Sequence, residues 1–502
     1  MTFAVTYSRA QLGIDAPLVT VEANISPGLP QIVIVGLPET AVRESKDRVK
    51  AALVNAGFNL PSRKVTINLA PADLPKQGGR YDLAIALAVL AASEQLDRDL
   101  IKNCELLGEL SLSGELRGIS GALPAILQSK AAGRHLFLPL QNQAEAALCR
   151  DSLVVLPGSL NQSVNFLRGT ETPPEIAPSR HLSEARHAPL AEVRGQHVAK
   201  RALIIAAAGA HNLLMTGPPG TGKTMLASRL PGLLPDMSEA EAFSAAAVKS
   251  VSARTFDQQN WGVRPFRHPH HTASAVALVG GGNPPMPGEI SLAHQGVLFL
   301  DELPEYSRHV LEVLREPLES GHIVISRAQH QVNFPAQFQL VAAMNPCPCG
   351  YYGDDSGRCN CREDQIERYR NKISGPLLDR IDIQIRVPTI PIELVTQDQQ
   401  QDANEPDQSA LKAQIERARQ TMTKRSGAAN ARLSSKALQT HCSLNLADRR
   451  FLNDAAERLG LSMRAYHKVL KVARTIADLS EEENIETPHV VEALAFREIG
   501  GD

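Results

Sequence analysis

The stretch GPPGTGKT, residues 217–224, constrains this chain more than any other. The apolar run NLLMT precedes it and MLASRL follows. That order predicts a buried strand turning through a glycine-rich loop into a helix. Gly217, Gly220 and Gly222 let the backbone curl, with Pro218, Pro219 and Thr221 between them, until its N–H groups converge on one point. Converging amides at the start of a helix bind phosphate. Lys223 supplies a charge for the β- and γ-phosphates, and the Thr224 hydroxyl is placed to hold Mg²⁺. The ligand expected of this loop is ATP.

A phosphate loop needs an acidic partner, and GVLFLDELPE provides one. Residues 297–300 are four apolar positions that read as a strand, ending at Asp301 and Glu302. At that strand end Asp301 is expected to hold the Mg²⁺ shell and Glu302 to polarise the attacking water. Without the phosphate loop, the same pair would read as an acidic cap after a strand.

The chain has 502 residues, too many for one core, and about three domains are expected. Strands and helices alternate to about residue 165, with QIVIV and KVTINL as strands. ESKDRVKAALVNAG reads as a charged amphipathic helix stopped at Gly57, and DLAIALAVLAA as a buried one. TETPPEIAPS is a Pro-rich linker, and QDQQQDANEPDQS separates a mostly helical C-terminal part. There Leu411, Ile415, Ala418 and Met422 share one helical face, as do Tyr466, Val469, Leu470, Ala473 and Ala477. The last helix is expected to start with Thr487 as N-cap and Pro488 at its first position. No stretch reaches the roughly 18 uncharged apolar residues of a membrane span, and MTFAVTYSRAQ lacks the order of an export signal. A cytoplasmic protein is expected. A net charge of −2 neither announces nor excludes a nucleic-acid partner.

GPPGTGKT, LFLDELPE, AAMNPCPCG and LLDRIDI together resemble an AAA+ ATPase of the magnesium-chelatase-like branch. More closely the chain resembles the bacterial YifB/ComM competence-protein family, over essentially its whole length and including SMRAYHKVLKVARTIADL. The resemblance implies an α/β chain in three parts. Residues 1–168 would be a Lon-protease-like α+β domain, 169–185 a linker, 186–395 the AAA+ domain and 396–502 a helical lid. It implies that Asn345 orients the lytic water, that Arg380 reaches into a neighbouring subunit's ATP, and that Arg464 is the lid's sensor arginine. An arginine acting in trans implies a ring, and the family suggests a homo-hexamer.

The resemblance also assigns the region between the two ATP motifs an insertion that points into the ring's pore. His268, His270 and His271 read as packing or pore-loop residues, because HPHH is a poor ligand spacing for one ion on a helix. HIVISRAQHQVNF would be a pore-facing hairpin, and Arg267, Arg327 and Lys249 are candidates for DNA backbone contacts. KQGGRYDLAIALAVL and LGELSLSGELRGISGALPAI resemble the proteolytic domain of Lon, but Arg80 stands at the serine position and Pro124 at the lysine position. Neither can do that chemistry, so a non-proteolytic scaffold is expected.

Four of seven cysteines crowd into MNPCPCGYYGDDSGRCNC. Cys347, Cys349, Cys359 and Cys361 form two Cys-x-Cys pairs joined by a turn-rich loop, a pattern that suits structural Zn²⁺ or four reduced thiols. Cys104, Cys149 and Cys442 are isolated.

By resemblance the engine is an ATP-dependent DNA helicase promoting branch migration in homologous recombination during natural transformation. Single-stranded or branched DNA and recombination proteins would be its partners. Arg464, Lys468, Lys471 and Arg474 lie along one side of their helix and are candidates for phosphate contacts or a solvated charged face. The competing expectations are a magnesium-chelatase-type motor and a protein unfoldase, each remodelling a protein partner.

Overall fold

The computed structural model describes residues 2–36, 39–177, 187–252, 256–326, 331–354, 357–390 and 407–497. Part of the linker, the whole of the 391–406 segment, and Arg327 lie outside them.

The N-terminal region is a seven-stranded sheet in the order Gln31–Val35, Lys64–Ala70, Leu18–Ser26, Phe3–Arg9, Cys104–Leu106, His135–Phe137, Val154–Val155. Phe3–Arg9 pairs antiparallel with Leu18–Ser26 and parallel with Cys104–Leu106. Against the sheet lies the helix Asp82–Ala92, every residue of which is buried, as its unbroken apolar run requires. Its buried Asp82 is held by Arg48 at 2.8 Å. Ser45–Asn55 is a helix that ends before Gly57, where φ is +84°.

The central region is a parallel five-stranded sheet, in the order Phe266–Arg267, Val297–Leu300, Gln339–Met344, Leu213–Thr216, Ile383–Arg386. All four strand pairs are parallel. The loop strand Leu213–Thr216 is therefore not next to the acidic strand Val297–Leu300. Gln339–Met344 stands between them, which brings its following residue, Asn345, to the centre of the sheet's carboxyl edge. Both faces are covered, so these strands are apolar throughout rather than alternating.

The C-terminal region is helical. Leu411, Ile415, Ala418 and Met422 are the buried stripe of Gln408–Ser426, and Val469, Leu470, Ala473 and Ala477 are buried on Met463–Leu479. Both stripes join the core beneath the central sheet. The last helix, Thr487–Ala495, corrects the expected cap. Glu486 is the N-cap, its side chain accepting from the backbone while His489 reciprocates, and Thr487 is already helical. The Thr487 hydroxyl donates instead to Asp448.

The N-terminal and central regions share apolar core. Leu123, Ile126 and Leu148 cluster with Met237, Ala242, Ala245 and Trp261. At the centre of this contact Gly121 N–H donates to the Ser250 carbonyl at 2.8 Å and Leu123 N–H to the Ser250 hydroxyl at 3.2 Å. That hydroxyl in turn donates to the buried Glu145 carboxylate. A second fastening places Leu12 and Ile14 against the hairpin His322–Ser326/Gln331–Pro335.

Candidate active site

The phosphate loop leaves its strand at Gly217, whose N–H donates to Met344 O at 3.2 Å. Only glycine fits there, since a Cβ would lie 2.2 Å from the Val387 carbonyl. Gly220 (φ +78°) and Gly222 (φ +86°) adopt the left-handed turn, and Lys223–Arg229 begins as a helix directly after them.

Lys223 is buried, and its ammonium donates to Gly217 O at 2.7 Å, Pro218 O at 2.8 Å and Asn345 Oδ1 at 3.3 Å. Burial lowers its pKa, while Asp301 and Glu302 pull the other way. The Thr224 hydroxyl donates to Asp301 Oδ2 at 2.7 Å. Two hard oxygen ligands thus meet in the pair expected for Mg²⁺, and the donor set fits that ion. Bound there, Mg²⁺ would supply charge neutralisation of phosphate oxygens.

The strand order accordingly brings Lys223, Thr224, Asp301, Glu302 and Asn345 to one edge. Glu302 has φ +51° and ψ +46°, and its carboxylate lies 2.9 Å from Nδ1 of His271. His271 is therefore part of the site, while the His268 ring packs on Phe299 with centroids 4.7 Å apart. Gln196 also escaped the sequence reading. It is buried, and its amide donates to Pro388 O at 2.8 Å and reaches Thr221 O at 3.5 Å. A lone glutamine ahead of a helix carries no signal of its own.

Arg380 and Arg464 have no contact with the loop among the described interactions. Arg380 pairs with Glu319 at 2.5 Å and donates to Pro376 O at 2.7 Å. Arg464 is exposed in the first turn of Met463–Leu479.

The Sγ atoms of Cys347, Cys349, Cys359 and Cys361 all lie within 4.8 Å of one another. Three of the separations are 3.3, 3.6 and 3.8 Å. Tetrahedral Zn–S bonds of about 2.3 Å put sulfurs about 3.8 Å apart, so the quartet fits Zn²⁺. Backbone contact at Tyr351 draws the Cys349 thiol down to about 6, while Cys359 and Cys361 are raised beside it, so the metal-free quartet favours one thiolate.

The structure removes most of the basic helix face proposed for phosphate contacts. Lys468 donates to Arg380 O at 3.0 Å and pairs with Asp382. Lys471 donates to Ala431 O at 2.9 Å, and Arg474 is buried against Asp478. These cations serve the core because the side that carries them packs inward. Arg267 is likewise committed, in a bidentate pair with Glu289 at 2.6 and 2.7 Å, and burial lowers the pKa of Lys249. In the N-terminal region Arg80 is buried and donates to Ser120 O at 2.5 Å and Gln11 at 3.1 Å, and Pro124 is buried in the helix Ala122–Ala132.

A parallel sheet that sets an asparagine strand between phosphate loop and acidic strand, under a helical lid, defines an AAA+ ATPase. Comparison with known proteins agrees. The family described as magnesium chelatase, subunit ChlI, matches residues 189–395, and its C-terminal counterpart matches 406–497. A family described as subunit ChlI of Mg-chelatase matches residues 21–142. Competence protein ComM of Haemophilus influenzae is 51% identical over 99% of this chain and 98% of its own length. The YifB protein of Escherichia coli is 46% identical over 99% of this chain and 98% of its own. The magnesium-chelatase 38 kDa subunit of Cereibacter sphaeroides is 27% identical over 32% of this chain and 52% of its own length. The chain belongs to the YifB/ComM family. Among the described residues no helix is long and apolar enough to cross a membrane.

Proposed function

We propose that this protein is an ATP-dependent DNA motor, a helicase or branch-migration factor acting in recombination during natural transformation. The observation that carries the reading is the 51% identity, across 99% of the chain, to a protein named for competence. The site supports the motor half. Lys223 and the loop amides hold the phosphates of ATP, Thr224 and Asp301 hold Mg²⁺, Glu302 takes the proton of the attacking water and Asn345 positions that water. Arg380 and Arg464 complete the charge stabilisation, Arg380 from a neighbouring protomer of a homo-hexamer. Four cysteines hold a structural Zn²⁺.

The second reading, a chelatase-type motor that remodels a protein, is favoured by the family matches at residues 189–395 and 406–497. ATPase turnover with single-stranded, forked and four-way-junction DNA over a salt series separates the two. Stimulation that fades as salt rises supports the DNA motor. Turnover indifferent to every nucleic acid overturns it in favour of a protein substrate.

A further inference from the structure

Asp382 is a buried carboxylate between the sheet and the lid. It is 4% exposed, pairs with Lys468, and lies 3.7 Å from Nδ1 of the buried His211. Burial opposes its ionisation, yet Lys468 and His211 outweigh that and hold it well below the usual carboxylate range. Asn212 N–H donates to its Oδ2 at 2.8 Å.

The same knot grips the backbone of Arg380. Its carbonyl accepts from Lys468 Nζ at 3.0 Å and from Asn212 Nδ2 at 3.0 Å. Asn212 Oδ1 accepts from Leu340 N–H at 2.9 Å, on the strand that ends beside Asn345. Next to the knot, the hydroxyl of Ser462, N-cap of the lid helix, reaches Asp379 at 3.4 Å. Lys468 stands one turn after Arg464 on that helix, so a lid movement that carries one carries the other.

We propose that Lys468 is a positioning residue for Arg380, tying the arginine's backbone to the lid so that lid position sets where its guanidinium points at the protomer boundary. This rests on the reading of Arg380 as the arginine that serves a neighbouring site, and it adds a route by which one protomer's lid controls the next protomer's turnover. Holding the peptide at its carbonyl leaves the side chain to swing between Glu319 and the neighbour.

Removing only Lys468 strands a buried carboxylate and threatens the fold. The test therefore pairs Lys468→Met with the double variant Lys468→Met/Asp382→Asn, which removes the stranded carboxylate and leaves Lys471 and Arg497 as the cations nearby. Both are assayed as full-length chains for DNA-stimulated ATPase and for binding of a fluorescent ATP analogue. Turnover is expected to fall at least tenfold in both, with nucleotide affinity within about twofold. Adding Lys468→Met/Asp382→Asn to Arg380→Ala should cost nothing beyond the loss in Arg380→Ala alone, and Lys468→Arg should restore most of the activity. Wild-type turnover in Lys468→Met/Asp382→Asn, or losses that multiply when Arg380→Ala is added, would overturn the proposal. Full turnover in Arg380→Ala alone would instead remove the reading on which it rests, and the proposal with it.

Discussion

Gly350, inside the cysteine knuckle, lies so close to Pro219 of the phosphate loop that a Cβ at Gly350 would come within 2.7 Å of the proline ring. Its φ is +89°, so any side chain there is also strained, by about 1–2 kcal/mol. Gly350→Ala should therefore push on the loop from outside it. Weaker binding of ATP, at unchanged zinc content, is the expected result of a titration. Unchanged affinity would mean that the knuckle and the loop do not communicate.

The knuckle itself should carry one zinc per chain. Metal analysis of purified protein checks this, and Cys359→Ser should abolish the metal and reduce ATPase turnover. Four freely titratable thiols with no zinc would return the quartet to ordinary reduced cysteines.

Lys223 and Glu302 should separate binding from hydrolysis. Lys223→Ala is expected to lose nucleotide affinity, because loop amides alone leave the phosphate charge poorly compensated. Glu302→Gln should bind ATP normally and lose about 10²–10⁴-fold in turnover, the usual range for a general base. A Glu302→Gln protein that hydrolyses at the normal rate would move the base elsewhere.

These two residues were legible in the sequence because phosphate chemistry fixes residue types over a contiguous run. The same holds for Asp301, at the end of an apolar strand, whereas Asn345 is assigned by the family resemblance. Legibility failed where partners are remote. Helical spacing put Lys468, Lys471 and Arg474 along one side, but it says nothing of Asp382, Ala431 or Asp478 waiting opposite. HPHH reads as packing or pore residues because nothing local to it shows that the backbone brings Glu302 to His271. The cap of the last helix slipped from Thr487 to Glu486, since both can accept from a free N–H and Thr487 found Asp448.

His294 predicts an acid limit to stability. It is 3% exposed, its Nδ1 accepts from Gln337 N–H at 3.0 Å and its Nε2 meets the Ser244 hydroxyl at 2.9 Å. Nδ1 must be unprotonated to accept, and burial, with Arg432 nearby, lowers its pKa to about 4. Unfolded histidine takes up a proton near 6.5, so this contribution is complete above that pH and is lost as pH falls toward 4. The full loss is about 3 kcal/mol. Melting temperature should drop across that window in the wild type and less in His294→Gln. Equal slopes would assign the acid loss to other groups.

Ser250 fastens the central region to the start of the N-terminal region's helix Ala122–Ala132 and to Glu145. Ser250→Ala leaves Glu145 and the Leu123 amide short of a partner and should cost about 1–3 kcal/mol. Hydrogen exchange at the Leu123 amide should quicken while the Lys223 loop is unaffected. Unchanged exchange at Leu123 would show that the contact is not maintained in solution.

Catalysis is expected to need two chains. Arg380→Ala and Lys223→Ala proteins, each inactive alone, are mixed and the ATPase rate is followed with DNA present. In a mixed ring an intact loop in one protomer faces an intact Arg380 in the next, so activity should reappear and depend on the mixing ratio. No recovery at any ratio, with mixed rings formed, would contradict an active site built across the seam.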